Sequence, residues 1–266
     1  MIERHWGLTR RAFANTPDPA FVYGSSAFGE GMARLRYDAT ELRGGLSLIT
    51  GEIGCGKTVL AQSLAAQLAG SASDLILMSY ARMTPVQLLA RLAHGLGIEP
   101  LPRGKLPLVE AIGCRLAELH RNGRRPVLVV DEAQLASPSL LEEIRLLTNF
   151  EDRQDKHLHV VLLGQPELRE RVRKLPQIDQ RVSLRFHVEP MEPDDVRGYV
   201  DHRLRVAGGD AARTFSPESI DVLAQRSGGV PRRLNTLATQ SLFVGAMRAL
   251  HQIDAELVRD VADDQE

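Results

Sequence analysis

The sequence predicts an α/β fold: a parallel β-sheet flanked by helices, followed by a small all-helical lid. Three observations carry that reading. Short aliphatic runs at 46–50, 75–78, 127–130 and 159–163 alternate with helix-patterned stretches, as in β-α units whose strands are covered on both faces. A glycine-rich turn, Gly51–Thr58, joins the first run to the first strong helix. Beyond Pro190 helix-start signals recur and no aliphatic run of comparable strength does.

The 266 residues suffice for one large domain and a small one, and 43% hydrophobic with 25% charged residues is ordinary globular composition. A formal net charge of −1 excludes the strongly basic signature of a nucleic-acid coat and leaves room for a local basic patch. Two cysteines, Cys55 and Cys114, make neither a disulfide framework nor a zinc pattern. With no apolar run of membrane-spanning length and no signal-peptide core at Met1–Trp6, a soluble, cytoplasmic protein without membrane insertion is expected.

Residues 1–45 carry Trp6, Phe13, Phe21, Tyr23 and the turn Thr16-Pro17-Asp18-Pro19. The prolines favour an extended path, and the aromatics are expected to fasten it to the domain that follows. Phe21 to Ser25 either line a nucleotide base or are plain core. A helix fits Ser26 to Leu42, with Met32, Leu35 and Ala39 on one face. The core domain is expected over 46–189. Its first helix, after Thr58, runs to Ala69 and stops at Gly70. Thr84, Pro85 and Gln87 form a capping box for the next helix, which ends near Gly95 or Gly97. Another helix is expected over 107–122, and Ser137-Pro138 caps one bearing Leu140, Leu141, Ile144 and Leu147. The lid, 190–266, has helix starts at Glu192-Pro193, Ser216-Pro217 and Val230-Pro231, and a last helix over 253–262.

Gly51-Glu52-Ile53-Gly54-Cys55-Gly56-Lys57-Thr58 fits G-x-x-x-x-G-K-[ST], with Val59 continuing the helix. Glycines let consecutive amides face phosphate oxygens, and the helix start adds its positive dipole end. Lys57 would reach the β- and γ-phosphates of ATP, and the Thr58 hydroxyl a Mg²⁺. Asp131-Glu132 follows Val127–Val130 at a strand end, where Asp131 can hold Mg²⁺ and Glu132 can deprotonate the attacking water. Gln165 ends the next strand, either bonding that water or serving as a turn residue before Pro166. Arg181, with Arg185 as the alternative, could be a finger acting on a neighbouring subunit. Arg232, rather than Arg233, would come to the nucleotide from the lid.

These pieces, with Asp131-Glu132-Ala133-Gln134, Leu147-Thr148-Asn149-Phe150-Glu151, Gly164-Gln165-Pro166-Glu167-Leu168 and Gly229-Val230-Pro231-Arg232-Arg233, resemble the ExeA/GspA-type branch of the AAA+ ATPases, relatives of the TnsC/TniB-type transposition ATPases. The resemblance implies a P-loop NTPase core and helical lid that assemble into rings or filaments with ATP between subunits. It makes Gln165 the first sensor, Arg181 the finger and Arg232 the second sensor. Cys55 stands where Thr or Ser is frequent, at a position that contributes mainly its backbone. Two roles follow: assisting assembly of a secretion or pilus apparatus, or regulating transposition by polymerising on DNA and recruiting a transposase. For DNA the sequence offers Arg121, Arg124 and Arg125, and the stretch 165–185 with six basic residues against three acids.

Overall fold

The computed structural model describes residues 1–16, 18–42, 45–68, 75–153 and 155–265. Pro17 and the expected helix stop at Ala69-Gly70 lie outside them. The described elements in order are α1 (Ile2–Trp6), α2 (Ser26–Thr40), β1 (Leu46–Gly51), α3 (Lys57–Leu68), β2 (Leu75–Met78), α4 (Pro85–Gly95), α5 (Lys105–Arg121), β3 (Val127–Val130), α6 (Pro138–Leu147), β4 (His159–Gly164), α7 (Pro166–Arg173), α8 (Pro176–Asp179), β5 (Val182–Val188), α9 (Pro193–Val206), α10 (Ala211–Thr214), α11 (Pro217–Ser227), α12 (Pro231–Met247) and α13 (Ala255–Asp263). The chain divides into two compact units, one of residues 30–53 and 60–188, the other of 1–29, 54–59 and 189–266.

The first unit holds a five-stranded sheet of order β2-β3-β4-β1-β5. Every pairing is parallel, with Leu46 opposite Val160 and Leu128 opposite Val160 on the other side. Every residue of β1, β3 and β4 is buried, which is why their sequences read as largely aliphatic runs. Leu88, Leu89 and Leu92 of α4, Ile112 and Leu116 of α5, and Leu140, Leu141 and Ile144 of α6 pack with Leu128, Val130, Val160 and Leu162 in one core. The Thr84–Gln87 capping box forms as expected, and Ser137 caps α6 by accepting from the Leu140 amide. Near the amino ends of the strands, Ser47 Oγ donates to buried Asp38 at 2.5 Å and meets His159 Nε2 at 3.0 Å, while Ser183 Oγ donates to the same carboxylate at 3.0 Å. That cluster ties α2 to three strands through one carboxylate oxygen of Asp38.

Strand β5 is an addition to the sequence reading. Val182-Ser-Leu-Arg-Phe-His-Val alternates at period two and is only partly buried at the edge of the sheet. Its arginine and histidine hide it from a search for aliphatic runs.

The second unit is helical apart from its short loop segment. Val196, Val200 and Leu204 of α9, Leu223 of α11, Leu234, Leu237 and Ala238 of α12, and Leu257 and Val258 of α13 share a core with Phe215 and Ile253. Leu8, Phe13 and Phe21 belong to that core too. The amino-terminal aromatics therefore fasten residues 1–29 to the C-terminal helices, not to the domain that follows them in sequence. Arg203 does much of the fastening. It is 7% exposed, donates to the carbonyls of Ala12 and Ala14 at 2.7 Å and to the Tyr199 hydroxyl at 3.0 Å, and lies over the Phe21 ring at 4.8 Å. Tyr199 donates onward to Asn235 at 2.8 Å, and Asn235 to Asn15 at 3.0 Å. Burial lowers the pKa of the guanidinium and raises that of the Tyr199 phenol.

Gly229 sets the entry to α12. Its φ is +71°, its carbonyl accepts from the Met191 amide at 2.9 Å, and an added Cβ would overlap the Met191 carbonyl oxygen. Gly229→Ala should therefore destabilise this unit by about 2–4 kcal/mol, combining left-handed strain with backbone overlap. Trp6, the single tryptophan, lies in the same unit and donates to the Leu242 carbonyl at 2.9 Å. An unchanged urea midpoint in its fluorescence would show that the backbone yields.

Candidate nucleotide site

A parallel sheet delivers the ends of all its strands to one edge, and ligands collect there. The chain leaves β1 through Gly51 into the glycine-rich turn. Gly54 and Gly56 have φ of +87° and +95°, values that glycine adopts without strain. A Cβ on Gly56 would meet nothing within 4 Å, so the space beside that backbone is open. Cys55 is buried, Glu52 and Ile53 are exposed, Lys57 opens α3 while 7% exposed, and Thr58 and Val59 are half-buried. The start of a twelve-residue helix, one ammonium and one hydroxyl make a donor set suited to a polyphosphate.

Within the same unit the start of α12 meets the turn. The Arg232 amide donates to the Gly54 carbonyl at 3.3 Å, and a Cβ on Gly54 would lie 2.6 Å from that of Arg232. Arg232 itself is exposed, as is Arg233. The structure thus brings Arg232 to residues 54–59 through its backbone and leaves its guanidinium at the surface.

The other unit carries the acids. Asp131 is buried at the end of β3, and its amide donates to the Met78 carbonyl at 2.8 Å. Its carboxylate accepts from the Glu132 amide at 2.8 Å. Glu132 has φ +53°, left-handed backbone in a residue with a side chain, which costs on the order of 1 kcal/mol. Gln134 holds it there. Gln134 Nε2 donates to the Glu132 carboxylate at 2.6 Å, and Gln134 Oε1 accepts from the Gln165 amide at 3.2 Å. Arg171 donates to the Gln134 and Ala136 carbonyls, clamping the short 3₁₀ turn Ala133–Leu135. Asp131, Glu132 and Gln165 are brought together, and the link is Gln134, a residue quoted above only as part of a motif. Gly164 makes room, since a Cβ there would come within 2.8 Å of Gln134 Oε1.

Arg181 lies at the amino end of β5, the opposite edge of the sheet. Its amide donates to the Ile178 carbonyl at 2.9 Å, while its side chain is exposed and makes no hydrogen bond or ion pair among the described residues. Arg185 is bound to Asp179, through the carboxylate at 2.8 Å and the carbonyl at 2.7 Å. Nearby, Lys156 holds the Glu151 carboxyl below its ordinary pKa, with smaller pulls from Arg181 and His157. Phe21, one of the two readings of which was a base-lining role, is buried under the guanidiniums of Arg10 and Arg203, at 4.6 and 4.8 Å from its centroid. Its ring is core, and Tyr23 packs edge-on against Tyr199.

A family model described as an AAA domain matches residues 41–172. The chain belongs to the AAA+ family. Within it, the chain is 36% identical over 257 residues to general secretion pathway protein A of Aeromonas hydrophila, covering 95% of this chain and 46% of that protein. It is 24% identical over 139 residues to an uncharacterised HTH-type transcriptional regulator of Methanocaldococcus jannaschii, covering 50% of this chain and 34% of the other. The chain thus spans half or less of these relatives. Among solved structures, Cdc6p of Pyrobaculum aerophilum superposes with a TM-score of 0.74 at 17% identity, covering 95% of this chain and 70% of that one. The Aeropyrum pernix ORC2 protein gives 0.71 at 16%, covering 96% and 71%. At these identities the likeness is one of fold, and it covers the C-terminal helices as well as the sheet. Among the described residues of this AAA+ chain, no helix is long and apolar enough to cross a membrane.

Gln134→Ala would leave the Gln165 amide without its acceptor and release Glu132 from its restraint. We expect a loss of about 1–2 kcal/mol in stability and about tenfold faster hydrogen exchange at the Gln165 amide. Unaltered exchange at that amide would show the link to be incidental.

Proposed function

We propose that this AAA+ chain is an ATP hydrolase that works as a homo-oligomeric switch, with ATP between subunits in a ring or filament, and assists assembly of a secretion or pilus apparatus from the cytoplasm. The observation that carries the reading is 36% identity to general secretion pathway protein A across 95% of this chain. The paired acids Asp131-Glu132, held as described, support the catalytic part.

In this reading residues Gly51 to Val59 bind the triphosphate, with Lys57 on the β- and γ-phosphates. The Thr58 hydroxyl and the Asp131 carboxylate are hard oxygen donors that fit Mg²⁺. When bound, Mg²⁺ neutralises charge on the phosphates. Glu132 takes a proton from water as the water oxygen bonds to the γ-phosphorus and the bond to the β–γ bridging oxygen breaks, releasing ADP and phosphate. Gln165 hydrogen-bonds the water or the γ-phosphate. Arg181 acts across the subunit boundary as the finger, and an exposed side chain without a hydrogen bond or ion pair among the described residues favours it over Arg185. Arg232 reports the nucleotide state to the helices that follow it.

The other reading, DNA binding with recruitment of a transposase, rests on Arg121, Arg124 and Arg125 and on the basic stretch 165–185. Two of its six cations are engaged internally, Arg171 with Gln134 and Ala136 and Arg185 with Asp179, so the secretion reading is the stronger. Retention of DNA on filters at low salt that weakens steeply with added salt would reverse that order.

Lys57→Ala should abolish ATP binding in a calorimetric titration. Glu132→Gln should keep binding and lower turnover by at least about 100-fold, and parental turnover would exclude Glu132 as the base. Arg181→Ala should be inactive alone and recover activity when mixed with Glu132→Gln subunits, because a mixed interface can pair an intact Glu132 with an intact Arg181. No recovery at any ratio would remove the finger in trans.

A further inference from the structure

The amino-terminal edge of the sheet carries a second cluster of ligating groups that the nucleotide reading does not use. His120 lies in the last turn of α5, and Asp152 and His157 flank the short antiparallel bridge of Glu151 with Lys156 that precedes β4. His120 Nε2 is 3.2 Å and His157 Nε2 3.5 Å from the same oxygen, Asp152 Oδ2. One ligand atom from each residue lies within 4.8 Å of the other two. The two imidazoles stack with centroids 4.4 Å apart and planes 24° apart. His157 is 8% exposed, and its buried Nε2 has no hydrogen-bond partner among the described residues.

We propose that His120, Asp152 and His157 form a site for one divalent transition-metal ion of the zinc class. Two imidazoles and a carboxylate are a donor set that zinc accepts, with the fourth position left to water. Ligand atoms about 2.0–2.1 Å from a tetrahedral zinc stand about 3.3 Å from one another. The two histidine–aspartate distances already match that spacing. The remaining edge, between the imidazoles, closes by turning the His120 ring, whose side chain is 23% exposed. The buried Nε2 of His157 then gains the partner that it lacks among the described residues, and a buried polar atom without one is costly. Asp152 is oriented from behind: its other carboxylate oxygen accepts from the Asp155 amide at 2.9 Å, the kind of outer support that metal ligands use. A bound ion would pin the end of α5 to the segment leading into β4.

The test uses tag-free, chelator-treated chain without nucleotide or magnesium, titrated with Zn²⁺ against a chromophoric competitor. One equivalent per chain should bind, and His120→Ala and Asp152→Ala should each weaken it at least about tenfold. Zn²⁺ should also raise the melting temperature of the parent and not of the variants. Should His157→Ala fail to fold, the more exposed His120 and Asp152 still decide the matter. No stoichiometric zinc in the parent, or equal affinity in the variants, overturns the site. A Co²⁺ complex with thiolate charge-transfer absorption would do so as well, by locating the ion on Cys55 or Cys114.

Discussion

Parallel pairing is the constraint on which the rest depends. Because β1, β3 and β4 run the same way in adjacent register, Thr50, Val130 and Gly164 all finish at one edge. Whatever follows each strand must begin there. In this chain an acid pair follows β3 and a glutamine follows β4, so side chains from two distant stretches are gathered without any loop having to reach for them. Burial along the whole of β1, β3 and β4 is why those strands are largely aliphatic.

At that edge the structure stores a little strain. Glu132 stands in a backbone region that side chains avoid, and the surroundings over-determine it: the Asp131 carboxylate holds its amide, Gln134 its carboxylate, and Arg171 the turn beyond. Strain maintained in this way keeps a group in one position rather than several, which suits the role of base proposed for Glu132. The same glutamine receives the Gln165 amide, so the two strand ends are set relative to each other by one side chain.

The C-terminal helices use a different device. Arg203 is buried with no ion pair among the described residues, and its charge is met by carbonyl oxygens, a phenol and two aromatic faces. Its two backbone acceptors belong to Ala12 and Ala14, so the cation that helps organise α9 also fixes the amino-terminal segment. Removing it would leave those carbonyls buried and unmet, a larger loss than the contacts alone suggest.

Local signals were legible where a residue's role depends on its neighbours in sequence. The glycines and lysine of the turn, the capping box at Thr84, the aliphatic strands and Asp131-Glu132 all lie within a few residues of what they organise, and the sequence by itself determined the fold class and the AAA+ relationship from them. Tertiary structure alone decided where residues 1–29 pack, because aromatic residues state that they will be buried and not against what. It decided the role of Gln134, whose partners are two residues and thirty-one residues away, and of Arg171, which looked like one more surface cation. It also revealed β5, where half-exposure at a sheet edge allows Arg185 and His187 to interrupt the apolar pattern by which the other strands were read. A residue's burial and partners arise from the whole packed chain, and no window of sequence contains them.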